Sequence, residues 1–330
     1  MITIKDSISI NNVTLKNRLV MPPMATSKSL DGAVNEDLLA YYYDKTKNNL
    51  LGLVVTEHMY VRNDGKAHTA QVSISKDEDI KGLTKLVEVI HSNNTKVIAQ
   101  INHAGAATNS TVTGEQIVGP SDFSFKRKPD AVLEPVKQLT KEDIDEIIKS
   151  FVDAARRVKE AGYDGVEIHS AHGYLLNQFY SPITNKRDDE FGPQTIENRL
   201  RIHSLIIKEI RKELGDDFLL AVRLGGADYM EGGSTIEDAV KASKYLEELG
   251  VDLIDISGGM NGFVVPDNNQ QGYFKEMTKA IRKEVKTPVI LTGGILDKEA
   301  AEELLNDGSA DLIGIGRPLF KDSSYLERMF

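Results

Sequence analysis

The stretch Gly162-Tyr-Asp-Gly-Val-Glu-Ile-His-Ser-Ala-His-Gly-Tyr-Leu-Leu176 decides the reading of this chain. Residues 164–169 are a short apolar run, which predicts a buried strand. Small and polar residues follow at once and put His169, His172 and Tyr174 just past the strand end. In a parallel α/β protein, that edge is where ligands bind. Two imidazoles and a phenol there form a set of hydrogen-bond donors for an anionic oxygen, with one candidate proton donor.

The same pattern repeats outward in both directions. Short apolar strands are predicted at 18–24, 52–57, 96–102, 164–169, 218–224, 251–257, 288–292 and 311–315. Amphipathic helices fit between them at 35–47, 77–93, 141–161, 195–214, 236–249, 272–285 and 297–306, with a last short one after Pro318. Thr140 and Thr235 sit where capping boxes start helices, and Gly162, Gly215 and Gly250 sit where helices stop. Strict βα alternation predicts an α/β fold, a (β/α)8 TIM barrel spanning residues 1–330 as a single domain. A doubly wound sheet is the alternative. It is opposed by the lack of a Gly-x-Gly-x-x-Gly after the first strand and of any Pro/Gly/Ser-rich linker. The first ten residues read as a lid strand or hairpin under the barrel. Two long loops, near 104–139 and 172–194, follow the third and fourth strands and belong over the C-terminal mouth, as active-site loops do.

Composition narrows the function. Forty basic residues face fifty acidic ones, a formal net charge of −10, which argues against a nucleic-acid partner. There is no cysteine, so disulfides, thiolate nucleophiles and cysteine-ligated iron–sulfur clusters are excluded. That fits a reducing cytoplasm. No basic segment followed by an apolar one opens the chain, so no signal peptide is expected. Apolar runs such as Leu50-Leu-Gly-Leu-Val-Val55 are too short to span a bilayer, so no membrane partner is expected.

The strand ends are polar. They read Pro22-Pro23-Met24-Ala25, Glu57-His58, Gln100 to His103, His169, Arg223, Ser257-Gly258-Gly259, Gly293-Gly294 and Gly314-Ile-Gly316-Arg317. The last two form a phosphate site: glycines let backbone N–H groups approach an anion, a short helix can point at it, and Arg317 adds a guanidinium. The competing reading has these glycines only turning the chain and Arg317 salt-bridged on the surface. Arg223 ends an apolar strand, so it needs a partner: Asp228 or Glu57 in a structural pair, or an anionic ligand. A zinc site at His169 and His172 lacks a defensible third ligand, and no metal is expected. A phenol keeps its proton at neutral pH, which suits Tyr174 as an acid. Tyr41-Tyr42-Tyr43 reads as helix packing, Lys126-Arg127-Lys128 as a solvated loop, and Asn185, Arg187, Asp188 and Glu190 as loop structure.

These residues resemble the Old Yellow Enzyme family, the FMN-dependent NADH:flavin oxidoreductases. The likeness runs from Leu15-Lys-Asn-Arg-Leu-Val-Met-Pro-Pro-Met24 to Gly314-Ile-Gly-Arg-Pro-Leu319. Its most specific parts are Val166-Glu-Ile-His-Ser-Ala-His-Gly-Tyr-Leu-Leu-Asn-Gln-Phe179, Arg187-Asp-Asp-Glu-Phe-Gly192 and Glu197-Asn-Arg199. The resemblance implies FMN held non-covalently at the barrel mouth. Pro22, Pro23, Met24, Ala25 and His58 would line the flavin. Gln100 would bond its pyrimidine edge, and Arg223 would lie near N1. Gly293, Gly294, Gly316 and Arg317 would take the phosphate. The implied reaction passes hydride from NADH or NADPH through flavin N5 to the β-carbon of an enone or related activated alkene. His169 and His172 would hold the carbonyl oxygen, and Tyr174 would protonate the α-carbon.

Several positions depart from the family pattern. Ala25 stands where Cys or Thr is frequent, His58 where Ala or Gly is frequent, and Ser27 or Lys28 where many bacterial members have Tyr. The usual Tyr-Gly-Gly reads Phe191-Gly192-Pro193. The chain ends at Phe330, without the tail that lends an Arg to a neighbour or the cysteine cluster and extra domains of some branches. Electrons are therefore expected directly from a nicotinamide. Similar proteins commonly form dimers or tetramers; the sequence leaves homo-oligomerisation open. Two other readings stand beside this one: a flavin-free barrel lyase or isomerase acting on a phosphorylated substrate, and a flavin-binding electron carrier without catalysis.

Overall fold

In the computed structural model the strands are, in chain order, β1 (Ile8–Ile10), β2 (Val13–Leu15), β3 (Leu19–Met21), β4 (Leu53–Tyr60), β5 (Lys96–Asn102), β6 (Val118–Gly119), β7 (Lys137–Gln138), β8 (Gly165–Ser170), β9 (Leu219–Ala227), β10 (Leu253–Gly258), β11 (Val289–Thr292) and β12 (Leu312–Gly314). The structure describes residues 1–124 and 133–330, so the Lys126-Arg127-Lys128 run lies outside the described residues. β3, β4, β5, β8, β9, β10, β11 and β12 are joined in that order, every pair parallel, into a closed barrel. They are the eight predicted strands. β3 stops at Met21 because Pro22 and Pro23 have no N–H to give the ladder.

The helices are α1 (Glu36–Thr46), α2 (Asp79–Ser92), α3 (Ser110–Thr113), α4 (Lys141–Glu160), α5 (Leu175–Tyr180), α6 (Ile196–Arg199), α7 (Arg201–Leu214), α8 (Ile236–Glu248), α9 (Lys275–Arg282), α10 (Lys298–Asn306) and α11 (Arg317–Lys321). Thr140 with Asp143 and Thr235 with Asp238 form the expected capping boxes. Gly162, Gly215 and Gly250 all take positive φ past helix ends.

Two expectations need correction. The single helix expected over 195–214 is broken at Leu200, where φ is −98° and ψ is 7°. Beside the break, the Arg199 guanidinium donates to the Tyr180 carbonyl (2.6 Å) and Ser234 Oγ (2.7 Å), which anchors the end of α6. Neither long stretch is all loop: 104–139 contains α3, β6 and β7, and 172–194 contains α5.

Inside the barrel, alternation along each strand gives two layers. The lower layer is apolar: Val20, Leu53, Ile98, Leu219, Leu253, Ile290 and Leu312 pack against Ile10, Val13 and Leu15 of the β1–β2 hairpin. The hairpin thus seals the N-terminal end, and it runs to Leu15 rather than ending within the first ten residues. Two residues further along, the inward positions become Gln100, Glu167, Asp255, Thr292 and Gly314. The polar half of the interior faces the C-terminal mouth. Arg187 ties the two long loops down there, pairing with Asp189 (2.6 Å) and donating to the carbonyls of Pro120 (2.9 Å) and Leu139 (2.7 Å). That cluster is loop structure, as expected.

Candidate active site

β8 delivers His169 to the mouth, and the chain then turns sharply into α5. His172 takes φ +59° and Gly173 φ +72°. A left-handed conformation is uncommon for a residue with a side chain and costs about 1 kcal/mol or more. The turn is held from several sides. Asn177 Oδ1 accepts the Gly173 N–H (2.7 Å), and Gln178 Nε2 donates to the Gly173 carbonyl (2.7 Å). The His172 ring is fixed by Nε2 to Ser257 Oγ at 2.7 Å. The outcome is a tight ring cluster: His169 lies 5.2 Å from His172 and 5.1 Å from Tyr174, centroid to centroid.

His58 joins this cluster, 5.2 Å from Tyr174 and 5.9 Å from His169. Its tautomer follows from its neighbours. Gln71 Oε1 accepts the Ala67 N–H (2.6 Å), so Gln71 Nε2 is the donor to His58 Nδ1 (2.7 Å). His58 Nδ1 therefore accepts, and the neutral ring carries its proton on Nε2. The ring narrows one side of the cavity.

The rings of His58, His169, His172 and Tyr174 line one cavity of about 680 Å³, a size typical of ligand sites. Pro22, Pro23, Met24, Ala25, His58, Gln100, His169, His172, Tyr174, Arg223, Gly294, Gly316 and Arg317 all reach it. Gly293 is the exception. Its carbonyl accepts the N–H groups of Gly272 (2.6 Å) and Tyr273 (3.3 Å), and the Tyr273 ring lies against it. β11 ends at Thr292, and the chain turns at Gly294, which takes φ +67°. Thr292, Ser257, Tyr273 and Lys321 line the cavity as well and were not singled out as site residues from the sequence. The 290/292 alternation along β11 could have pointed to Thr292. The run Gly262-Phe-Val-Val265 in a loop after β10 marks the apolar rim, where Phe263 lies 6.1 Å from the His172 ring.

The floor is charged. Arg223 Nε lies 3.2 Å from Asp255 Oδ2, a close ion pair without hydrogen-bond alignment. The partner is thus neither Asp228 nor Glu57. Register decides this, since β9 and β10 place Arg223 directly beside Asp255. Asp228 instead accepts from Ser181 Oγ (2.7 Å) and the N–H groups of Ser234 (2.7 Å) and Met260 (2.8 Å). Glu57 accepts from Thr26 Oγ1 (2.7 Å). Gln100 Nε2 donates to Glu167 Oε2 at 3.1 Å. Burial pushes the Glu167 carboxyl well up, and repulsion from Asp255 adds to it. Burial also raises Asp255, with Arg223 opposing. Burial raises Glu57 to about 7. Of the three tyrosines on α1, Tyr42 packs in the core and its hydroxyl accepts the Glu57 N–H (2.8 Å), fastening α1 to β4.

The residues fit FMN. Pro22, Pro23 and Met24 give an apolar bed for a flat ring, and Gln100 and Arg223 give polar groups for its edge. At the other end Thr292 Oγ1 is buried with no hydrogen-bond partner among the described residues. A Cβ on Gly314 would lie 1.9 Å from that oxygen, so only glycine leaves room there. Beside it stand Gly294, Gly316 and the cations of Arg317 and Lys321, a suitable set for a phosphate.

Fold and cavity fit the FMN-dependent NAD(P)H oxidoreductases. The model of the NADH:flavin oxidoreductase / NADH oxidase family matches residues 6–329, and the chain belongs to that family. It is 38% identical to the NADH oxidase of Thermoanaerobacter brockii over 325 residues, covering 96% of this chain and 49% of that protein. It is 37% identical to the NADPH dehydrogenase of Geobacillus sp. (strain WCH70) over 318 residues, covering 95% of this chain and 89% of that one. The chain thus spans about half the length of the first relative and nearly all of the second. Among solved structures, the old yellow enzyme homologue from Zymomonas mobilis superposes with a TM-score of 0.85 at 26% identity, covering 99% of this chain and 92% of that one. A 2-naphthoyl-CoA reductase bound to 2-naphthoyl-CoA superposes with a TM-score of 0.91 at 29% identity, covering 98% of this chain and 51% of that one. Membership in this family overturns the flavin-free lyase or isomerase reading. Among the described residues no helix is long and apolar enough to cross a membrane.

Proposed function

We propose that this chain is an ene-reductase, which reduces the activated double bond of an α,β-unsaturated carbonyl compound at the expense of NADH or NADPH. One observation carries the reading: His169, His172 and Tyr174 converge, rings 5.1 to 5.2 Å apart, on a cavity whose opposite end suits a phosphate. FMN bound there would supply the redox chemistry between the nicotinamide and the alkene. Gln100 and Arg223 would hold the polar edge of its ring, and Thr292, Gly294, Gly316 and Arg317 would hold its phosphate. His169 and His172 grip the substrate carbonyl oxygen and stabilise the negative charge that grows on it. Ser257 keeps the His172 ring turned for that task. Tyr174 gives its phenolic proton to the α-carbon. An electron carrier without catalysis has no use for this third group, which favours the enzyme.

The test separates two half-reactions under anaerobic conditions. NADH or NADPH should bleach the flavin absorbance, and 2-cyclohexenone should restore it. Tyr174→Phe should slow restoration by about a hundredfold or more while bleaching stays within about threefold. Equal loss in both halves would remove the proton-donor role. Bleaching that dioxygen reverses and the enone does not would remove the ene-reductase reading.

A further inference from the structure

Two polar side chains rise from the floor into the cavity, and each has a buried carboxylate behind it. Gln100 donates to Glu167 (3.1 Å), and Arg223 faces Asp255 (3.2 Å). Neither carboxylate lines the cavity. They are not equivalent. Asp255 has no hydrogen-bond partner among the described residues for either oxygen, and Arg223 is the one cation paired with it there. Glu167 is held by a neutral amide. Asp255 and Arg223 are both almost wholly buried, so solvent hardly screens their interaction.

We propose that Asp255 is a positioning residue that sets how much positive charge Arg223 presents to the cofactor end of the cavity. A guanidinium paired with a carboxylate is a dipole pointing at the cavity, whereas an unpaired one is a full charge. Asp255 holds the Nε side of Arg223 from below and so governs both its aim and its field. Glu167 contributes less to that field, because Arg223 is paired with Asp255 whereas Glu167 faces the neutral amide of Gln100.

The inference rests on FMN lying against Arg223, as proposed above. It is tested on FMN-loaded protein with two readouts, the flavin midpoint potential and the dissociation constant for sulfite. Sulfite adds to FMN and leaves negative charge in the ring, so it reports the local positive field. Asp255→Asn should raise the potential and tighten sulfite about tenfold, since an unpaired charge acts at short range in a low dielectric. Asp255→Glu keeps the charge and should stay within about twofold of the parent. Glu167→Gln should also leave sulfite affinity within about threefold. Asp255→Ser, with the same expected direction, decides the matter if the Asn variant does not retain FMN. No tightening on charge removal, equal tightening in Asp255→Glu, or equal tightening in Glu167→Gln overturns the proposal. Arg223→Gln is the control for the underlying placement. If it leaves sulfite affinity unchanged, FMN does not lie against Arg223. If it weakens sulfite while Asp255→Asn has no effect, only the role of Asp255 fails.

Discussion

Glu57 shows how one residue near the site trades stability for position. It is buried and accepts from Thr26, just after the Pro22–Ala25 segment that lines the cavity. Burial pushes its carboxyl up to about 7, from the 4.5 of a free glutamate. The folded state therefore binds its proton more tightly than the unfolded chain. Stability from this group is full below the unfolded value and falls as pH rises through about 7. Glu57→Gln carries no such titration. Between pH 5 and pH 8 the unfolding free energy of the cofactor-free variant should gain on that of the parent by up to about 3 kcal/mol, read from urea curves. A gap that does not move with pH would show that Glu57 ionises freely in the fold. At this scale the sequence pointed to side chains that meet in one cavity: His169, His172, Tyr174, Gln100 and Arg223 all line it, and each stands at, near or just past the end of a predicted apolar strand. Asp255 was not legible in this way, because what singles it out is its register against Arg223, a relation across two strands. Gly293 does not line the cavity, and its carbonyl is taken by the N–H groups of Gly272 and Tyr273.

At the scale of elements, the eight strands and most helices were readable because runs of Val, Ile and Leu alternate with capped amphipathic stretches. α5 was hidden for a definite reason: all six of its residues are buried, so it has no polar face and no 3.6-residue period. The break at Leu200 was hidden because no Gly or Pro marks it, and the neighbouring Arg199 is anchored by Ser234, 35 residues away. The β1–β2 hairpin was readable as an addition but not in its extent. It is more than an addition, since Leu15 is fully buried against the lower layer of the barrel. Leu15→Ala should cost about 2–5 kcal/mol, measured as a drop in the urea midpoint with unchanged slope. FMN affinity should hold, because the hairpin contacts the opposite end of the interior. A loss of FMN affinity with little loss of stability would contradict that separation.

For the whole molecule, the cavity joins strand ends from every part of the chain: Pro22 from the first barrel strand and Arg317 from just after the last. A ligand spanning them links the two termini of the barrel. Saturating FMN should therefore stabilise the fold as one unit, by about 2.7 kcal/mol at a hundredfold excess over Kd. Thermal scans with and without FMN would check this, and a melting curve split into two steps would show that the halves unfold separately. The hairpin described above has one further consequence, which concerns traffic. With the lower end stoppered by Ile10, Val13 and Leu15, the barrel is a cul-de-sac. Whatever enters by the mouth must leave by the mouth. A donor and an acceptor that both need the same well must queue, each vacating it before the other arrives, and an excess of either blocks the door for its successor.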